Sequence, residues 1–225
     1  MRTMLAGPSG IGKTTIAKVI GNMTGIEFVS GSVSDLLPET KDMSHESMLN
    51  RSSEQLYSED YKILNIRNQL FRNKEEFVSD RSYIDSIAYF LYKQADQIPQ
   101  CEVEQFILLA CRLLVQQCDL LIVLELVPED AHNWLTENNA KRITNNYFQI
   151  LISSLVYTGL KLAGYTPIDT SYTINTGLFS TTTLNRPFEE GYIRTIYGET
   201  HVLIIRDLNY HNRISILKKF ICPKK

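Results

Sequence analysis

The residues with the plainest chemistry stand near the amino end. Gly7-Pro8-Ser9-Gly10-Ile11-Gly12-Lys13-Thr14 satisfies G-x-x-x-x-G-K-[ST], the pattern of a phosphate-binding loop. Glycines let the backbone fold back so that consecutive N–H groups face anionic oxygens. Lys13 is long enough to reach the β- and γ-phosphates, and Thr14 carries a hydroxyl suited to Mg²⁺. The binding set for a nucleoside triphosphate is therefore Gly7 to Thr14 with Thr15 beside it. ATP and GTP are not distinguished by these residues.

A second chemical pair is Asp80-Arg81, followed by Ser82. A carboxylate beside the phosphate loop can organise Mg²⁺ with Thr14 or accept a proton from an attacking hydroxyl. An adjacent guanidinium can hold a phosphate in a bidentate fork. Lys141 and Arg142, with Arg186 as the rival, are cations that could exclude water and absorb charge on a moving phosphoryl group if a lid carries them.

Positioning these groups takes an alternation of strands and helices. Arg2 to Ala6 reads as a first strand, and the helix from Lys13 to about Met23 aims its positive dipole end at the phosphates. Further strands are expected at Ile26–Val29, Glu76–Ser79, Asp119–Leu126 and His201–Arg206. The fourth is nearly continuous in apolar residues, as in a parallel sheet covered on both faces. Ser52 with Gln55 forms a capping box for a helix that carries Arg67. Other helices are expected from Tyr83 through Tyr92, over Glu102–Gln117, from about Thr144 to Ala163, and at the carboxyl end.

Ser30 to Ser34 follows the second strand, where open α/β sheets bind ligands; acceptor contact and a plain turn are equally open there. Arg51 and Arg67 are either phosphate contacts or ordinary surface charges, and Tyr83 is core more readily than a base-stacking platform. The stretch from Tyr165 to Thr200, rich in Thr, Tyr, Asn and Gly, reads as an insertion with a hairpin.

Composition bounds the function. At 225 residues, 44% hydrophobic and 21% charged, the chain has the make-up of a soluble globular protein. Its net charge of −2 gives no general reason to bind a polyanion. No apolar run reaches the roughly 18–20 residues of a membrane span, so no membrane partner is expected. The first strand begins too early for a cleaved signal peptide. Cys101, Cys111, Cys118 and Cys222 lack metal-ligand spacing, and three lie in apolar surroundings, so buried reduced thiols and a cytoplasmic setting are expected.

The phosphate loop, Asp80-Arg81 and Ala88-Tyr89 together resemble the thymidylate-kinase-like nucleoside and nucleotide kinases. In that family Asp-Arg-Tyr-x-x-Ser-x-x-Ala-Tyr carries acceptor recognition. Here Ser82 replaces the tyrosine and Asp85 the serine, which argues against thymidylate as acceptor. The string is more similar to small P-loop kinase domains such as the kinase half of bifunctional nicotinamide-riboside enzymes. Phage-encoded relatives of that type include deoxynucleotide kinases and kinases of 5-hydroxymethyluracil in viral DNA. The similarity covers residues 1 to about 130 plus the last strand and helix.

The resemblance implies one α/β three-layer P-loop kinase domain over 1–225. Its sheet would have five parallel strands in the order 2-3-1-4-5, helices on both faces and a lid. Residues of about 30–75 would bind the acceptor, about 132–146 would be the lid, and about 165–200 the insertion. The implied activity is ATP- and Mg²⁺-dependent transfer of the γ-phosphoryl group. The acceptor is a free nucleoside or deoxynucleotide, or a hydroxymethylated base in DNA, with the host cytoplasm as the site if the chain is phage-encoded. Lys13 and Thr14 would hold ATP and Mg²⁺, Asp80 would act as base or metal organiser, Arg81 as acceptor-side clamp, and Arg142 would complete the lid. Oligomeric state stays open, a dimer included. The competing reading is an ATPase or switch module, which would need a water-positioning residue and a partner surface; there is no separate second acidic motif of the hydrophobic-Asp-Glu kind, since the fourth strand ends in Glu125-Leu126.

Overall fold

Short β-forming runs alternate with amphipathic helices in the computed structural model, which describes residues 1–38, 51–126, 146–168, 188–206 and 209–221. Strand β1 (Arg2–Ala6) leads through the glycine-rich loop into helix α1 (Lys13–Thr24). Strand β2 (Phe28–Val29) and the short α2 (Val33–Leu36) follow, then α3 (Ser53–Phe71) and β3 (Phe77–Ser79). Helices α4 (Tyr83–Gln94) and α5 (Gln100–Gln117) precede β4 (Leu120–Leu124). Helix α6 (Asn146–Leu162), strands β5 (Tyr165–Pro167), β6 (Phe188–Thr195) and β7 (Gly198–Ile205), and helix α7 (Tyr210–Ile221) complete the order.

The sheet has seven strands in the order β2-β3-β1-β4-β7-β6-β5. Neighbours from β2 to β7 run parallel, whereas β6 and β5 are added antiparallel. This corrects the expectation of five parallel strands. The two extra strands lie within the stretch that reads as an insertion, and the tight turn Thr195 to Gly198 joins β6 to β7. Thr and Tyr favour strands, but β6 buries only Gly191 and Ile193. Its sequence therefore lacks the apolar run of a central strand.

The period-2 alternation of strand side chains divides the core. Met4, Ala6, Leu121, Val123, Val202 and Ile204 face a cluster shared with α3, α4, α5 and α6. Leu5, Ile122, Leu124, Leu203 and Ile205 face the opposite cluster, with Ile16, Ala17 and Ile20 of α1 and Ile216 and Leu217 of α7. Helices thus cover both faces. The capping box on α3 forms as expected: Ser52 Oγ accepts from the Gln55 N–H at 3.3 Å and Gln55 Oε1 from the Ser52 N–H at 3.2 Å.

Cys111 and Cys118 are buried and reduced, and Cys101 is exposed on α5; Cys222 lies outside the described residues. Among those residues no helix is long and apolar enough to cross a membrane.

Arg206 ties the sheet extension to the core, donating to Glu125 at 2.9 Å and to Glu189 at 2.6 Å. Burial alone would raise the Glu189 carboxyl, but Arg206 and the Tyr165 hydroxyl hold it below its ordinary value. A lowered folded-state pKa means that the unfolded chain binds the proton more readily. Stability from this pair is therefore present above the unfolded value and lost as pH falls through the folded one. Arg206→Met should cost on the order of 1 kcal/mol near pH 7 and progressively less as acid protonates Glu189. Urea unfolding of both proteins across the acid range checks this.

Candidate active site

The phosphate loop runs from the end of β1 into α1, so its shape depends on what packs behind it. Gly7 has φ 141°, and a Cβ there would stand 2.5 Å from the Leu124 carbonyl oxygen. Only glycine fits so close to the end of β4. Gly7→Ala is expected to destabilise the fold by about 3 kcal/mol, from overpacking and backbone strain together; thermal unfolding measures it. The Gly7 N–H donates to Asp85 Oδ1 at 3.1 Å, which anchors the loop's first residue to α4.

Lys13 folds back across the loop. Its Nζ donates to the Gly7 carbonyl at 2.5 Å and to the Pro8 carbonyl at 2.8 Å, and the residue is buried. The ammonium therefore already lies over the loop's mouth. Thr14, at the first turn of α1, donates its hydroxyl to Asp80 Oδ2 at 2.6 Å. Pairing of β1 directly with β3 makes this possible, because it brings the end of β3 alongside the start of α1.

Asp80 is 3% exposed. Its second oxygen, Oδ1, accepts from the Gly31 N–H at 3.1 Å. A Cβ on Gly31 would meet Arg81 Cβ at 2.9 Å and Ser79 Oγ at 3.0 Å, so the chain after β2 passes close over the Asp80-Arg81 corner. Arg67 holds it there: Nε and Nη2 donate to the Gly31 carbonyl at 3.2 and 2.8 Å, and Nη1 to the Ser82 carbonyl at 3.3 Å and Ser86 Oγ at 2.5 Å. The arginine read as a phosphate contact or a surface charge is thus neither. It is a buried brace, and burial pulls its guanidinium down to about 10, which leaves it charged at neutral pH.

Arg81 is half-buried. Burial opposes its charge, but the neighbouring Asp85, Tyr89 and Asp80 outweigh that and raise its pKa. Burial raises the Tyr89 hydroxyl against the pull of Arg81.

The structure brings Lys13, Thr14, Asp80 and Arg81 together at the carboxyl ends of β1 and β3. Lys141, Arg142 and Arg186 lie outside the described residues, as do the lid range beyond 126 and most of the 165–200 stretch. Ser82 and Asp85, the departures from the family string, form a capping box for α4: Ser82 N–H to Asp85 Oδ2 at 3.0 Å and Asp85 N–H to Ser82 Oγ at 3.3 Å. That S-x-x-D pattern is visible in the sequence; the reach of Asp85 to Gly7 is not. Tyr83 is core, fully buried, with its hydroxyl on Gln117 Oε1 at 2.7 Å. Arg51 pairs with Glu59. At the β2 exit, Ser30 and Ser32 donate to Asp35 Oδ2 at 2.5 and 2.8 Å. A surface hollow of about 530 Å³, lined by Lys18, Asn22, Gly25 and Phe28, sits at the far end of α1 and has no part in this chemistry.

Thr14 and Asp80 suit Mg²⁺, which takes hard oxygen donors and keeps most of its shell for phosphate and water. A glycine-rich loop that leads into a helix suits phosphate oxygens in general, and Lys13 lies on this loop.

Deoxyadenosine kinase from M. mycoides, with products dCMP and a flexible dCDP bound, matches with a TM-score of 0.52 at 15% identity, covering 72% of this chain and 83% of that one. The same kinase with bound dATP gives 0.51 at 16%, covering 72% and 84%. The chain has the fold of that deoxyadenosine kinase. The family model of the ATPase family associated with various cellular activities (AAA) matches residues 3–78, about a third of the chain. No curated protein matches in sequence. The kinase-like fold places the phosphate loop and the Asp80-Arg81 corner on one rim, and the AAA match stops just short of that corner.

Proposed function

We propose that this protein is an ATP- and Mg²⁺-dependent kinase that transfers the γ-phosphoryl group to a nucleoside- or nucleotide-type acceptor. The observation that carries the reading is the 2.6 Å contact between Thr14 and Asp80 beside a loop covered by Lys13. Phosphoryl transfer demands positioning and charge neutralisation more than covalent chemistry. Thr14 and Asp80 would hold Mg²⁺, which would supply charge neutralisation at the phosphates. Lys13 swings from its carbonyls onto the phosphate oxygens. Asp80 orients the Thr14 hydroxyl and stands ready to take the acceptor's proton. Arg81 holds the acceptor side. Arg142, or Arg186 in its stead, closes the charge shell in this reading.

The acceptor is a free deoxynucleoside or deoxynucleotide in the first instance. The net charge of −2 supports a small molecule over a polyanion, and the likeness to a kinase whose structures hold deoxynucleotides agrees with it. The hydroxymethyl group of 5-hydroxymethyluracil in phage DNA is the larger alternative. The family-model match over residues 3–78 favours a second reading, an ATPase module that needs no acceptor.

One experiment separates the three. γ-Labelled ATP is incubated with the protein and, in turn, with deoxynucleosides, deoxynucleotides, and DNA with or without 5-hydroxymethyluracil. Label on a small acceptor supports the proposal, and label on modified DNA selects the larger acceptor. Release of free phosphate under every condition selects the ATPase.

A further inference from the structure

A loop that turns its N–H groups inward turns its carbonyls outward, and buried carbonyls need donors. Lys13, itself part of the loop, serves Gly7 and Pro8. The next two served carbonyls take donors from elsewhere. Gln149 Nε2 on α6 donates to the Ser9 carbonyl at 3.0 Å, and Arg213 Nη1 on α7 donates to the Ile11 carbonyl at 2.7 Å. Both donors are buried, at 5% and 1% exposure. A Cβ on Gly10 would stand 3.2 Å from Gln149 Nε2, so the amide rests directly on the loop's bend. One turn on, Ser153 Oγ accepts from the Leu126 N–H at 3.3 Å, fixing α6 against the end of β4.

We propose that Gln149 and Arg213 are positioning residues for the triphosphate. They hold the back of the phosphate loop so that its amides converge on the anion. Arg213 adds a full positive charge behind that nest, in a dry environment where charge acts strongly. Neither touches the nucleotide. The proposal rests on the ATP-binding reading above.

The full-length protein and three variants decide it: Arg213→Met, Arg213→Lys and Gln149→Met. Calorimetry gives the affinity for Mg-ATP, kinetics the KM for ATP and for the acceptor, and thermal unfolding the stability without nucleotide. Loss of a charged donor should weaken ATP binding and raise its KM by ~10-fold or more, and loss of the neutral amide by ~3-fold. Acceptor KM should stay within about two-fold, and Arg213→Lys should recover most of the ATP affinity because it restores charge and a donor. If both methionine variants melt earlier yet bind Mg-ATP like the native protein, the two residues are only structural and the proposal is wrong. Should Arg213→Met fail to fold, Gln149→Met decides by the same criterion. If the native protein itself takes up no Mg-ATP, the kinase reading fails, and the proposal with it; native binding with unaltered variants overturns the proposal alone.

Discussion

Lys13→Ala is expected to lower phosphoryl transfer by roughly 10³-fold, the scale seen when one charge-stabilising donor is removed from a dry site. The loop would survive the change in part. The Gly7 and Pro8 carbonyls lose their donor, but the Gly7 N–H keeps Asp85 and the Ser9 and Ile11 carbonyls keep Gln149 and Arg213. Binding of ADP should therefore fall less than turnover. The charge that Lys13 brings is needed most when the β–γ bridge breaks and negative charge moves onto the leaving group. Single-turnover rates with labelled ATP, set beside ADP affinity, test the split. Equal losses in both would make Lys13 a ground-state anchor only.

The second large effect is expected at Asp80. Both of its oxygens are engaged, Oδ2 by the Thr14 hydroxyl and Oδ1 by the Gly31 N–H. Asparagine keeps one acceptor and replaces the other with a donor. Either Thr14 or Gly31 then faces an NH₂ group, and the negative charge beside Thr14 disappears. Turnover should drop at least ~100-fold, within the range for losing a positioned acid–base group. ATP affinity should change far less, because the loop amides and Lys13 do the holding. A second signature is a raised Mg²⁺ requirement, read by titrating the metal at fixed ATP. Normal turnover in Asp80→Asn would remove the carboxylate from the mechanism.

Much of this site can be read without coordinates, because its parts are local. Gly7 to Thr14 is a contiguous pattern, Asp80 follows a strand signal, and Ser52 with Gln55 announces its helix. What escapes is long-range hydrogen bonding to backbone. Arg67, Gln149 and Arg213 all serve carbonyls, and a carbonyl leaves no mark in the residue type that bears it. Arg67 therefore passes for a phosphate ligand or a surface charge until the Gly31 contact is seen. Asp85 is misleading in another way. Measured against a family string it signals a changed acceptor, whereas in the structure it caps a helix and pins Gly7. The hairpin expected within Tyr165 to Thr200 forms as β6 against β7, but its joining to the main sheet is not legible, because β6 buries so few side chains that periodicity is faint.

The bond between Arg213 and Ile11 spans 202 positions of the chain. Closing a segment of that length carries an entropic penalty that local contacts cannot offset in advance. The glycine-rich bend can form with its own helix early, yet its back is secured only when the final helix docks. During refolding, helical signal should thus recover before the capacity to take up nucleotide, and the anion pocket ripens last.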